Sequence, residues 1–487
     1  MVEGPLLGAT AHTVGWALFG GVEVGRLRLD RDSSAHPSVA ERRLRGKQAR
    51  KVSPRSAAGV WESPPDRRDP VDIIEEGTRT ALESLVPIRY GRMSATPFTF
   101  YRGTAAIMAA DLRTTATSGI SAQLCGDAHL SNFGVYGAPN RSMVFDINDF
   151  DETLAGPWEW DLKRLATSFV LASRENGWDA DVQDSVATAC AASYRHAMRT
   201  FAEMDNLEVW YSRLSIDELA ALRKPTKPGK KAVKKAREKD SERAARKLSE
   251  VVDGRRRIVH EPPLVVPIKD FLDAEQRNRV EQVLPELFEK YRATLQNNRQ
   301  HLLDSYRLID IALKVVGVGS VGTRAFIALL QGHDEDDLLF LQIKEAGISV
   351  LAQHGGLSWR RDPGRRVVEG QRLIQATSDI LLGWSSLGDN HFYFRQLWDM
   401  KGSFDTSLAD KHALHQYAGI CGWTLARGHA RSGDRIAIAQ YLGKGDVFDS
   451  AIGDFGVRYA NQAERDYQTF MAAADGGRIQ LDTSVNK

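Results

Sequence analysis

The spacing of apolar residues changes several times along the chain, and each change marks a different kind of element. From Asp69 to Leu85 apolar residues recur at helical intervals (Val71, Ile74, Ala81, Leu85). A second helix is predicted over about 103–113, and residues 120–150 read as strand, loop, strand. Helical spacing returns at 162–174 and 181–205, and residues 270–314 also look helical. From Val315 to about Asp399 glycine turns separate short apolar runs, which predicts a mainly β lobe. Helical texture resumes from Lys411 to Phe470. The predicted class is therefore α+β. Residues 1–60 have weak periodicity and read as a poorly ordered leader. The remainder divides into a helical lobe at 61–314, a β-rich lobe at 315–400 and C-terminal helices at 401–487.

Composition narrows the field. The chain has 487 residues, 42% apolar and 26% charged, with a net charge of +2. It is long enough for two or three packed lobes and is not a polyanion binder as a whole. Three widely spaced cysteines (Cys125, Cys190, Cys421) argue for a reducing cytosol over a disulfide framework. No apolar run approaches the roughly 18 residues of a membrane span, and no basic region precedes the short apolar stretch near Trp16, so a cytoplasmic protein without a membrane partner is expected. Residues 223–257 are rich in Lys and Arg, but Glu238, Asp240, Glu242 and Glu250 interleave and no aromatic residue is present for base stacking. They read as a charged linker or solvated helix, with no nucleic-acid partner.

Two segments carry candidate chemistry. The first is Gly126-Asp127-Ala128-His129-Leu130-Ser131-Asn132, following a short apolar run. Phosphoryl transfer needs a carboxylate to orient the accepting hydroxyl and oxygen ligands for a Mg²⁺ that bridges phosphates. An acid five residues before an amide in a tight loop can present both to one cleft. The run Met143 to Asp151 then returns Asp146, Asp149 and Asp151 toward the same edge, and such oxygen donors suit hard cations. Asp161 sits where an N-cap carboxylate would open the following helix.

The second is the G-x-G-x-x-G of Gly317, Gly319 and Gly322, which includes Ser320. A dinucleotide-binding fold would place a helix next. Here two apolar runs joined by a polar turn follow instead, and the second ends in Ile343-Lys344, similar to the Lys-bearing strand of kinases. Lys344 is the candidate to meet ATP phosphates. Glu369, in the helix predicted over 365–382, is the candidate partner of Lys344, with Glu345 as rival. Arg102, after an aromatic run, reads equally as a phosphate contact or a structural salt bridge.

Gly-Asp-x-His-x-x-Asn, then Asp-Phe-Asp, then Asp161 resemble the aminoglycoside and choline kinase group of the protein-kinase-like fold. That resemblance implies Asp127 as the catalytic acid, Asn132 and Asp149 as Mg²⁺ ligands, and Asp161 as a brace for the loop. The Asp127–Asp149 gap is longer than usual in that group and leaves Asp146 as a rival for the metal. The glycine segment follows the catalytic-looking loop by about 190 residues, the reverse of ordinary kinase order. The expectation is a two-lobed, protein-kinase-like fold with permuted lobe order. Asp454-Phe455-Gly456 lies in apolar spacing of helical period and reads as part of an amphipathic helix.

From about Ile88 to Phe470 the chain also resembles the bacterial family called domain of unknown function 2252. The matching pieces include Phe100-Tyr101-Arg102-Gly103, GDAHLSNFG, NDFDET, VGVGSVGTR, LQIKEA and LARGHARSGD. The expected function is Mg²⁺-ATP-dependent phosphoryl transfer to a hydroxyl of a small acceptor. The alternatives are a nucleotide-binding pseudokinase that regulates a partner, and nucleotidyl transfer from ATP.

Overall fold

The computed structural model describes residues 37–222, 226–238, 241–315, 317, 321–358, 362–397 and 400–484. It is an α+β protein with a helical part and an antiparallel sheet part. The helical part centres on Glu159–Glu175, Ala180–Glu203, Lys411–Ser432 and Val447–Asp475, which pack on one another. Glu159–Glu175 is buried on nearly every side, and it buries Glu159, Asp161, Lys163 and Arg164 along with its apolar residues. Trp158, stacked on Tyr194 with ring centroids 5.3 Å apart, lies within the same large core. Asp454, Phe455 and Gly456 fall inside the last of these helices, with Phe455 buried, as the helical spacing indicated.

The sheet part has six antiparallel strands in the spatial order Gly383–Leu387, Asn390–Gln396, Leu338–Glu345, Ala325–Gln331, Arg307–Lys314, Val265–Pro267. The three central strands form a meander in which Ala325 faces Lys344 and Phe326 faces Leu313. The helix Pro363–Ile374 lies between this sheet and the helical part. Its buried Val367, Val368 and Ile374 belong to the main core, whereas one face of the sheet packs on the helix Ala274–Ala293 through Leu287, Tyr291 and Phe394.

Several boundaries differ from the sequence reading. Residues 1–36 of the expected leader lie outside the described residues, but Val39–Val52 is a helix with a full capping box at Ser38 and Glu41. It docks on the C-terminal helices, where Arg50 Nε donates to Tyr441 O at 2.9 Å and Arg55 donates to Leu442 O at 2.7 Å. The sheet begins at Val265, not at 315, because Arg307–Lys314 is a strand and not the end of a helix. Within 223–257 lie the helices Lys227–Arg237 and Ser241–Leu248 and the hairpin Ser249–Val252 with Arg255–Ile258, so this stretch is more than a linker. No helix among the described residues is long and apolar enough to cross a membrane.

Candidate functional site

The loop after Ser121–Leu124 is set by backbone demands. Gly126 has φ +87°, and a Cβ there would lie 2.2 Å from Glu152 O, so glycine alone fits. Asp161 fixes the loop from below: its carboxylate accepts Cys125 N–H at 2.7 Å and Gly126 N–H at 3.0 Å. It does so from the first turn of Glu159–Glu175 and is not the N-cap, a position held by Trp158. His429 Nε2 stands 3.3 Å from the same carboxylate. Asn132 Nδ2 donates to Asp127 O at 2.9 Å and closes the loop, which leaves its carbonyl oxygen for other work.

Asp127 is part-buried, and Arg164 Nε donates to its Oδ1 at 2.5 Å. Burial raises the Asp127 carboxyl above its ordinary value, opposed by the charges of Arg164 and Arg102. Its Oδ2 lies 3.7 Å from His129 Nε2. His129 is buried, and desolvation with the nearby Arg102 and Arg164 charges keeps its imidazole neutral, well below its ordinary range.

Asp127, His129, Asn132, Asp149, Asp151 and Glu152 line one cavity of about 1180 Å³. Gly317, Thr323 and Arg324 line it from the sheet side, and residues of the segment 73–107 wall the opposite side. The buried Lys344 reaches this loop from its strand and forms an ion pair with Asp151, whose other oxygen accepts Tyr393 Oη at 2.6 Å. Burial would raise the Asp151 carboxyl, but the Lys344 charge and the two hydrogen bonds outweigh it and hold the group at about 2. Lys344 is correspondingly raised against its own desolvation. Asp149 shifts the other way, upward, by burial and by the adjacent Asp151 charge. Glu152 is pushed up to about 7, chiefly by burial, although Arg366 opposes the shift.

The segments picked out at 126–132, 149 and 344 thus meet in space, across sequence separations of up to about 220 residues. Other expectations need revision. Asp146 is not brought to the cavity: it is 1% exposed, pairs with Arg427 at 2.5 Å, and accepts the N–H of Ala376 at 2.9 Å and of Ile147 at 2.8 Å. Neither suggested glutamate pairs with Lys344. Glu369 pairs with Arg365 one turn earlier at 2.7 Å, and Glu345 pairs with Arg324 at 2.8 Å. The residue that the helix Pro363–Ile374 sends to this loop is Arg366, whose guanidinium donates to Thr153 O, Asp151 O and Gly347 O at 2.7–3.0 Å. Gly317 and Gly322 both adopt positive φ. Arg92 donates to Gly317 O at 2.6 Å, and Leu82 N–H donates to Gly322 O at 2.9 Å. Gly319 and Ser320 lie outside the described residues.

Sequence reasoning missed Arg164, Arg366 and Tyr393 and gave Asp151 no distinct role. Arg164 carried a signal, one turn after Asp161 on the same helix face. The others carried none, since partners chosen across 193 to 242 residues leave no local pattern.

Residues 79–473 match the model of a family described as uncharacterized protein conserved in bacteria, DUF2252. No curated protein and no solved structure gives a significant match. The matched stretch covers well over half of the sequence and takes in the loop, the acidic strand end, the glycine segment and Lys344; the chain belongs to the DUF2252 family.

Proposed function

We propose that this protein transfers a phosphoryl group from Mg²⁺-ATP to a hydroxyl of a small molecule, on a kinase-like arrangement in which the two lobes occur in permuted order. The observation that carries the reading is the ion pair of Lys344 with Asp151 beside Asp149, at the cavity that also holds Asp127 and Asn132. Kinase chemistry uses a glycine-rich turn over the phosphates, a lysine on the third strand of the meander and a helix immediately after it. Strands Arg307–Lys314, Ala325–Gln331 and Leu338–Glu345 are followed by the short helix Val350–Gln353 and then by helix Pro363–Ile374, which would take the place of that helix. The usual helix glutamate is replaced by Asp151 as the anchor of the lysine.

In this reading the backbone around Gly317, Gly319, Ser320 and Gly322 receives the phosphates, and Lys344 neutralises them. Asp127 accepts a hydrogen bond from the acceptor hydroxyl through Oδ2, while Arg164 fixes the other oxygen and so the carboxylate's aim. Mg²⁺ needs only one or two protein oxygens in addition to phosphate, and Asp149 with the carbonyl oxygen of Asn132 fits that demand. When bound, the ion would neutralise charge on the phosphate oxygens.

The test is transfer from γ-labelled ATP to a panel of hydroxylated acceptors by wild type and Asp127→Ala. Loss of a positioned base predicts a fall of about 10²–10⁴-fold in kcat. Equal rates in both proteins would remove Asp127 from the chemistry. The clamp of Arg164 on Asp127 favours one second reading, a nucleotide-binding protein without turnover, which would bind Mg²⁺-ATP in the same cavity and leave the label on ATP.

A further inference from the structure

We propose that His429 is a positioning residue for the loop 126–132, acting through Asp161 from a turn of the helix Lys411–Ser432 that braces the whole site. The side chains of residues 427–432 reach the separate elements that meet at the cavity. Arg427 pairs with Asp146 at 2.5 Å, on the strand Met143–Ile147 that leads to Asp149 and Asp151. Arg431 Nη1 donates to Gln375 O at 2.5 Å, one residue beyond the helix Pro363–Ile374. Ser432 Oγ accepts the Gln123 N–H at 3.1 Å, on the strand that enters the loop. His429 lies below the loop itself and meets Asp161. Residues 427 and 431 are four apart and residues 429 and 432 three apart, so each pair shares a face of the helix.

His429 is fully buried with both ring nitrogens engaged, Nε2 at 3.3 Å from Asp161 Oδ2 and Nδ1 at 2.9 Å from Tyr194 Oη. One tautomer satisfies both contacts. A carboxylate only accepts, so Nε2 carries the proton and donates to Asp161. Nδ1 then accepts, and the Tyr194 hydroxyl donates to it. The opposite tautomer would turn a lone pair toward the carboxylate. Tyr194 is held in place for this contact by its stacking on Trp158.

The chain of contacts ends at the group assigned to the acceptor. Asp161 Oδ2 takes both the His429 Nε2–H and the Cys125 N–H, and its Oδ1 takes the Gly126 N–H. Those two amides immediately precede Asp127, so the aim of the Asp161 carboxylate sets where Asp127 stands. A carboxylate turns easily about its last bond, and a directed donor from His429 removes that freedom. Supporting hydrogen bonds of this kind hold a site in its working geometry. The hydrogen-bonded chain stands on the geometry alone, whereas its bearing on catalysis rests on the phosphotransferase reading.

The experiment compares the full-length wild type with His429→Gln, His429→Leu and Tyr194→Phe. Nitrogen NMR of the histidine side chains at neutral pH, with the His429 signals assigned by their loss in His429→Gln, should show a protonated Nε2 and a bare Nδ1. Hydrogen exchange is then followed at the Cys125 and Gly126 amides, with the buried strand Leu338–Glu345 as the measure of global stability. His429→Leu should speed exchange at Cys125 and Gly126 by at least about tenfold relative to that strand, as expected for loss of a hydrogen bond to a charged group. Glutamine keeps a donor near the Nε2 position and should restore most of the protection. Tyr194→Phe removes the donor to Nδ1 and should give a mixture of tautomers with an intermediate acceleration. A proton on Nδ1 in the wild type overturns the proposal, and that result needs no variant to fold. Equal acceleration at the loop and at the reference strand, or no rescue by glutamine, would reduce His429 to a packing residue and overturn it as well. None of these results depends on ATP turnover, so failure of the phosphotransferase reading would be seen separately.

Discussion

Asp146, Asp149 and Asp151 are three carboxylates within six residues, yet each has a different fate. Asp146 is sealed against Arg427 in the core, Asp151 is paired with Lys344, and Asp149 lines the cavity with a raised pKa. The pattern of alternate acids said only that oxygen donors would gather here, since which one meets a cation depends on residues more than 190 positions away. Asp146→Asn removes one partner of a buried ion pair and is expected to cost about 3–5 kcal/mol in urea unfolding. Asp149→Asn should relieve charge crowding and leave stability within about 1 kcal/mol, while abolishing any Mg²⁺-dependent nucleotide binding. The reverse pattern in the two variants would reassign the metal role. Asp151→Asn leaves Lys344 buried without its counter-charge and should also cost several kcal/mol, about 3–5 by the same reasoning. Its sign with pH is definite. The folded carboxyl sits at about 2, below its unfolded value, so the stabilisation it provides is fully present above the unfolded pKa and is lost as pH falls toward 2. The stability gap between wild type and Asp151→Asn should therefore narrow by about 2–3 kcal/mol between neutral pH and the acid limit. A gap that stays constant would mean that Asp151 is not the ionised partner of Lys344.

At the scale of elements, long helices and the tight loop were legible because their signals are local. The predicted 162–174 and 181–205 became Glu159–Glu175 and Ala180–Glu203, and the helical reading of Asp454-Phe455-Gly456 held. Arg307–Lys314 was misread because Ile309, Ile311, Ala312 and Leu313 form a short apolar run, which spacing alone does not assign to strand or helix. It became a strand because a neighbour on each side offered backbone partners. A helix does follow the Lys344 strand, but it runs over Pro363–Ile374 and not over 365–382, and the residue that it contributes to the loop is not the expected one. Glu369 lies one turn from Arg365 and pairs there, whereas Arg366 faces inward to the loop 151–153. Close packing fixes that face: a Cβ on Gly370 would lie 2.5 Å from the Thr153 side chain. Gly370→Ala should push the helix from the loop that carries Asp151 and Glu152. The expected result is a loss of about 1–3 kcal/mol in stability, together with weakened Mg²⁺-ADP binding. Wild-type nucleotide affinity in that variant would show that the helix does not set the loop.

For the molecule as a whole, the question is where the two parts can separate. Their seam on one side is tightly bonded: Gln375 Nε2 donates to Ile147 O at 2.8 Å, Ala376 N–H to Asp146 at 2.9 Å, and Tyr136 Oη to Thr377 O at 2.8 Å. Val367, Val368 and Ile374 sink into the main core beside it. Across the cavity the contacts among the described residues are thinner, chiefly Arg92 with Gly317 O and Leu82 N–H with Gly322 O, beside a small cluster around Leu85, Ile88, Val315 and Val321. The expectation is that the two parts separate first on this thinner side, with the 374–377 seam as the spine. Local opening free energies range from near zero to the global value, and hydrogen exchange reads them amide by amide. The amide of Ala376 should exchange only at the global unfolding limit, whereas the amide of Leu82 should exchange through a smaller opening. In the proposed reading a nucleotide would touch both walls, so Mg²⁺-ADP should slow Leu82 exchange more than that of Ala376. At about 100 times its Kd it would also stabilise the fold by about 2.7 kcal/mol. Equal protection of the two amides without nucleotide would mean that the parts move as one body and that the cavity fills by another route.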